Sequence, residues 1–182
     1  MPKVIKDVEK IIRSCAKELF IEFSYSNVDM RMISKKSGIA VGTLYNYYEN
    51  KKQLYLSILK ESWENTFIKF NSINELTISS EEKLKEFINI LYDDIVSRKG
   101  LGKALLDTSI VELKDDEDII TLKNKLILTV QSFLNYSNVK GMNNLKNGTR
   151  LSESLLVSTL AMIEFHPNEK QNNINFLIQS YK

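Results

Sequence analysis

Apolar side chains between Val4 and Phe23 recur at steps of three and four residues. Val4, Val8, Ile11, Ile12, Cys15, Ala16, Leu19, Phe20 and Phe23 make one stripe, with Lys6, Arg13 and Lys17 off it. That spacing predicts an amphipathic helix. The same period returns down the chain and predicts further helices at about 30–37, 41–47, 51–74 and 80–98. A short one ends near Ser109, and three more cover about 117–136, 149–165 and 169–181. No stretch sustains the period-two alternation of a half-buried strand. The two prolines, Pro2 and Pro167, leave the body of the chain uninterrupted. The expected class is all-α.

Polar residues mark the ends of these segments. Ser24-Tyr25-Ser26-Asn27 breaks the first helix. Asp29 can cap the second, because its carboxylate accepts free backbone amides, and Gly38 supplies a left-handed residue to end it. Glu49-Asn50 turns into the fourth helix, and Ser79 with Glu82 makes a capping box for the fifth. Gly100 and Gly102 punctuate, and the acids 115–118 suit the positive end of a seventh helix. Residues 137–148, SNVKGMNNLKNG, read as a polar loop, and His166-Pro167 divides the last two helices.

Composition changes the picture mainly through charge. The 182 residues carry a net +2, but residues 1–60 hold +5 and the remainder −3. A basic N-terminal third on a slightly acidic body is expected where only one end meets phosphate. A 43% apolar content suffices for a packed core. The lone Cys15 excludes an internal disulfide, no apolar run approaches the ~18 residues of a membrane span, and the first residues lack an apolar signal core. A cytoplasmic protein with no membrane partner is expected. Catalysis lacks an inventory: the sole histidine, His166, sits at a helix junction, and Cys15 lies on an apolar stripe. There is no Cys/His cluster, phosphate loop or nucleophile elbow, so neither a metal nor a cofactor is expected. The run 115–118 reads as a solvated helix start more readily than as a cation site.

Met30 to Leu54, MRMISKKSGIAVGTLYNYYENKKQL, is the richest stretch. A bracing helix, a glycine turn and a short polar helix are the parts of a helix-turn-helix. Gly42 lets backbone approach DNA, Thr43 offers a hydroxyl or methyl, Asn46 can pair an adenine edge, and Tyr47 reaches phosphate or sugar. Arg31 can reach a base or phosphate, and Lys51 opens a helix whose free amides also favour an anion. Leu44, Ile33 and Ile39 face the first helix. A compact helical corner with a solvated polar surface shares the helix–glycine–helix outline.

The pattern extends beyond that corner. Ala16, Leu19-Phe20, Tyr25, Ile33, Gly38, Gly42-Thr43-Leu44-Tyr45, Tyr47, Lys51 and Leu54 stand as in one known domain. Residues from Ile11 to Leu54, about a quarter of the chain, resemble the N-terminal DNA-binding domain of the TetR family of bacterial transcriptional regulators. The resemblance implies that Tyr45 and Lys51 bind phosphate while Arg31, Gly42, Thr43, Asn46 and Tyr47 lie at the groove. Three positions depart from the family pattern. Ser24 replaces a usual glycine, and Val28 and Asp29 stand where threonines are common, removing hydroxyls and adding a negative charge.

The resemblance also implies a DNA-binding domain at 1–50 and a larger helical ligand-binding and dimerisation domain at 51–182. Dimerisation would use residues 149–181, paired with their symmetry mates as a four-helix bundle. Leu151, Leu155, Ser158, Thr159 and Met162 form one stripe there, and Ile174, Leu177, Ile178 and Tyr181 another; either reads equally as core. Trp63, Phe67, Phe87, Tyr92 and Phe133 read as packed core or as the lining of a pocket for an apolar effector. The expected protein is a homodimeric repressor on a palindromic operator, released by a small molecule. The alternative is a ligand-independent DNA-architectural or protein-interaction protein of the same fold.

Overall fold

The first helix follows its apolar stripe closely. In a computed structural model, α1 (Val8–Phe23) buries Ile12, Ala16, Leu19 and Phe20. The structure describes residues 7–101, 111–136 and 145–181, without the side chains of Val111, Glu112, Tyr136 and Leu145. Val4 and Lys6 of the expected stripe lie outside those residues. Phe23 corrects the expectation at the other end: it is 41% exposed, because the helix has passed its neighbours there.

After a single 3-10 turn at Tyr25–Asn27 come α2 (Met30–Ser37), α3 (Val41–Tyr47) and α4 (Lys51–Asn74). Their limits follow from local chemistry. Asp29 accepts the Met32 amide at 2.8 Å to start α2, and Gly38 ends it at φ 68°. Asn50 accepts the Gln53 amide at 2.8 Å to start α4. The Ser79–Glu82 box is complete at the head of α5 (Ser80–Ser97), with Ser79 hydroxyl and amide both bonded to Glu82. Those bonds hold the exposed Glu82 carboxyl below its ordinary range.

One helical turn, α6 (Val111–Lys114), leads into α7 (Glu117–Tyr136), followed by α8 (Leu145–Phe165) and α9 (Lys170–Ser180). The short helix expected to end near Ser109 falls outside the described residues, as does 137–144 of the expected loop. The rest of that loop is helical: α8 begins at Leu145 rather than near 149. A Cβ on Gly148 would crowd the end of the Gln131 side chain on α7, so the glycine lets the two helices lie close. Among the described residues there is no strand.

The helices α1, α2 and α3 pack around Ile12, Ala16, Ile33, Ile39 and Leu44, all buried. The long α4 carries them and runs on into a second bundle, packing on α5 and α7, with α8 and α9 closing it. Asn173 of α9 ends α8 by donating to the His166 and Met162 carbonyls at 2.8 and 3.2 Å. It also donates to the Tyr92 hydroxyl at 2.9 Å, tying that corner to α5. No described helix is long and apolar enough to cross a membrane.

Candidate nucleic-acid interface

The short polar helix α3 is firmly mounted on its neighbours. Leu44 is wholly buried, a contribution of about 1.5–3 kcal/mol. The Ser34 hydroxyl donates to the Ile39 carbonyl at 2.6 Å, bracing the turn between α2 and α3. Lys36 pairs with Glu18 of α1 at 2.9 Å. Below α3, Tyr48 is buried and donates its hydroxyl to Glu9 at 3.0 Å. Arg13 donates to the Ser57 hydroxyl and carbonyl at 3.1 and 3.3 Å and pairs with Glu61, fastening α1 to α4.

The mount presents a polar surface. Tyr45 and Tyr47 are 50% and 45% exposed, and Arg31, Gly42 and Asn46 are exposed beside them, with Thr43 half-buried. Among the described residues, no hydrogen bond or ion pair engages the side chains of Arg31, Tyr45, Asn46 or Tyr47. Lys51 differs: its ammonium donates to the Tyr25 carbonyl at 3.0 Å and sits 4.1 Å from the Tyr25 ring centroid. Two of its three donor hydrogens remain for another acceptor. A Cβ on Gly42 would meet nothing within 4 Å, so the fold itself does not require glycine there.

The three departures at the α1–α2 junction each have a physical reading. Ser24 takes φ 65° and ψ 161°, a conformation that glycine adopts freely and serine does not. Val28 is buried and serves the core. The exposed Asp29 carboxylate is spent on the α2 cap. Cys15 is half-buried; burial first, then Glu18, pushes its thiol up against the opposing pull of Lys36.

Trp63, Phe67, Phe70, Phe87, Tyr92 and Phe133 of the second bundle are buried. Phe87 and Phe133 stack at 4.4 Å, Phe70 meets them at 4.5 and 6.2 Å, and Phe67 and Trp63 continue the line. Tyr92 stands apart, with Asn173. Sequence reasoning did not single out the polar cluster beside these rings, whose members are spread over α4 and the end of α5. Asp94 accepts from Thr66 and Lys69, each at 2.6 Å. Burial pushes its carboxyl up, but these bonds and the charges of Lys69 and Arg98 hold it below the ordinary range. Arg98 is 5% exposed, lies over the Trp63 ring at 4.0 Å and bonds Thr66 and Ser62. Burial lowers its guanidinium to about 10 against the pull of Asp94.

Two acids at the start of α7 are engaged by α4. Asp116 pairs with Lys52 at 2.7 Å and accepts the Asp118 amide at 3.0 Å, while Asp118 pairs with Lys60 at 2.8 Å. The expected stripes of α8 and α9 are largely core of the protomer. Leu155, Thr159, Ile174, Leu177, Ile178 and Tyr181 are buried, and Leu151, Ser158 and Met162 half-buried. The large apolar groups left exposed on these helices are Val157, Phe165 and Phe176.

A braced short helix beside a glycine turn, carried on a long connecting helix, defines a helix-turn-helix protein of the all-helical regulator class. Residues 12–58 match the family model for bacterial regulatory proteins, tetR family. That match covers the N-terminal domain, about a quarter of the chain. The chain is 28% identical over 95 residues to the HTH-type transcriptional regulator YuxN of Bacillus subtilis, a match covering 52% of this chain and 33% of that protein. An HTH-type transcriptional regulator of Staphylococcus aureus is 27% identical over 101 residues, covering 56% of this chain and 55% of its own. The matches thus span about a third to a half of these relatives. The fold is shared more widely. The fatty acid degradation regulator FadR of Bacillus halodurans superposes with a TM-score of 0.72 at 22% identity, covering 97% of each chain. FadR of Bacillus subtilis, solved in complex with stearoyl-CoA, gives 0.73 at 18% identity, covering 93% of this chain and 97% of that one.

Proposed function

We propose that this protein is a homodimeric DNA-binding transcriptional repressor that leaves a palindromic operator when a small apolar molecule binds its second bundle. The unbonded polar surface of a rigidly mounted α3 carries this reading. In it, Arg31, Gly42, Thr43, Asn46 and Tyr47 meet the major groove while Tyr45 and Lys51 hold phosphate. Gly42, which the fold does not need, supports close approach to the duplex. The DNA-binding unit is residues 1–50 and the regulatory unit 51–182, with α4 continuous between their cores.

Pairing through residues 149–181 would cover Val157, Phe165 and Phe176, and would set two α3 helices about 34 Å apart, one turn of duplex. An effector that prefers a wrongly spaced conformation would release DNA in proportion to that preference. Trp63, Phe67, Phe87, Tyr92 and Phe133 are its proposed contacts. Because a FadR neighbour was solved with stearoyl-CoA, a long-chain acyl thioester is the first effector to try. The close Phe87–Phe133 stack favours a second reading, a dry regulatory bundle that needs no effector.

Selection of bound duplexes from a random pool, followed by titration of acyl-CoA into the resulting complex, tests both. Recovery of a palindrome that the thioester displaces is expected. Enrichment of nothing rejects DNA recognition, and enrichment without displacement by any effector favours the second reading.

A further inference from the structure

Arg98 is a cation without its full set of acceptors. Its Nε and Nη2 bond the neutral Ser62 and Thr66 oxygens, with the Ser62 contacts both 2.9 Å. The neighbouring carboxylate, Asp94, is committed elsewhere: its oxygens take Lys69 and Thr66 at 2.6 Å and lie 3.9 Å from the guanidinium. Nη1 is buried and has no hydrogen-bond partner among the described residues, and neither does the buried indole Nε1 of Trp63. These donors sit on groups in direct contact, with Arg98 Cζ 4.0 Å from the Trp63 ring centroid.

Buried donors are ordinarily satisfied, and charged ones cost most when they are not. Counting Arg98, Lys69 and Asp94, the cluster also keeps one uncancelled positive charge. A purely structural arginine in this position would take a carboxylate directly, as bidentate pairs do. Here, among the described residues, Nη1 has no acceptor and the nearest carboxylate oxygen, Asp94 Oδ2, stays 3.9 Å from the guanidinium. Next to the two donors begins the line of buried rings Trp63, Phe67 and Phe70, spaced 6.2 and 6.4 Å, with the Lys125 ammonium 4.3 Å from the Phe67 centroid.

We propose that Arg98 and Trp63 anchor the carboxylate of an apolar acid whose hydrocarbon part lies along these rings. The binding stands on the orphaned donors; only its regulatory consequence rests on the effector-responsive reading above. Trp63 is the single tryptophan of the chain, so its emission reports the event directly.

The test titrates the full-length protein with dodecanoate, 1-dodecanol and dodecanoyl-CoA below their aggregation limits, following Trp63 emission. Dodecanoate should bind at least about ten-fold more tightly than the alcohol, the loss expected for one charge-assisted hydrogen bond. In Arg98→Met the acid-to-alcohol ratio should fall to near one. That variant leaves Lys69 and Asp94 as a neutral pair and is suited to folding. Trp63→Phe, followed by calorimetry, should weaken the acid and spare the alcohol. Equal affinity of wild type for acid and alcohol overturns the proposal without recourse to any variant. So does binding of dodecanoyl-CoA alone, which would place the polar head elsewhere, or an unchanged ratio in Arg98→Met. If dodecanoate binds as described while operator DNA stays bound, the anchor stands and release by effector fails.

Discussion

Replacing Ser24 with glycine should stabilise the folded protein. Ser24 adopts φ 65° and ψ 161° between α1 and the turn before α2. A residue bearing a Cβ is held there at a cost of the order of 1–3 kcal/mol. Glycine removes that strain but frees the unfolded chain, which returns about 0.4–1 kcal/mol. The exposed hydroxyl makes no capping bond, so nothing else is lost. The two backbone bonds that fix the junction, Ser24 amide to Phe20 carbonyl at 3.1 Å and Asn27 amide to Ser24 carbonyl at 3.3 Å, survive the change. The balance is a gain of about 1 kcal/mol. With a urea dependence near 2 kcal/mol per molar, the midpoint should rise by about 0.5 M with its slope unchanged. Ser24→Ala keeps the Cβ and should leave the midpoint in place. A glycine variant no more stable than wild type, or an alanine variant equally improved, refutes the assignment of strain to this residue.

Other perturbations separate the parts of the account. Asn46→Ala should weaken operator binding by about 1–3 kcal/mol while sparing random duplex, whereas Tyr45→Ala and Lys51→Ala should weaken both; equal losses across all three in a mobility-shift series would reject that division. Phe165 is 74% exposed in the protomer, so Phe165→Glu should leave the monomer's fold intact but shift sedimentation from dimer to monomer; an unchanged dimer would move the interface off this end of α8. The Lys52 hydrogen bond is the main cause holding the Asp116 carboxyl below its ordinary value of 3.8. A depressed carboxylate contributes stability that is complete above the ordinary range and fades as pH falls through the lowered value. Urea midpoints taken from about pH 5 down to about pH 2 should decline less steeply in Asp116→Asn than in wild type; parallel declines would remove this pair from the acid response.

The elements that were legible in sequence are those whose ends are written locally. Asp29, Gly38, Asn50 and the Ser79–Glu82 box each satisfy or terminate a helix through groups within a few residues, and those ends fall within a residue of expectation. Gly148 was opaque for the opposite reason. Asn-Gly spells a loop by propensity, yet Gly148 lies within α8, where its missing side chain leaves room for Gln131 of α7. Phe23 fits the period of α1 but has no neighbour to bury it. The helix-turn-helix could be read because α2 and α3 are short and contiguous. The Arg98 cluster could not, since an arginine at a helix end is ordinarily solvated. Its burial depends on Trp63, Ser62 and Thr66 meeting it from more than thirty positions away.

The central claim is that α3 reads duplex DNA through a polar surface flanked by the charges of Arg31 on α2 and Lys51 on α4. Its most direct test is the equilibrium affinity of the purified protein for a selected palindromic duplex, measured by fluorescence anisotropy across a salt series. The account predicts two protomers per duplex and an affinity that falls linearly in log–log form, with a slope of about −0.9 for each phosphate neutralised. Affinity that does not respond to salt, or no binding to any duplex at low salt, would contradict it.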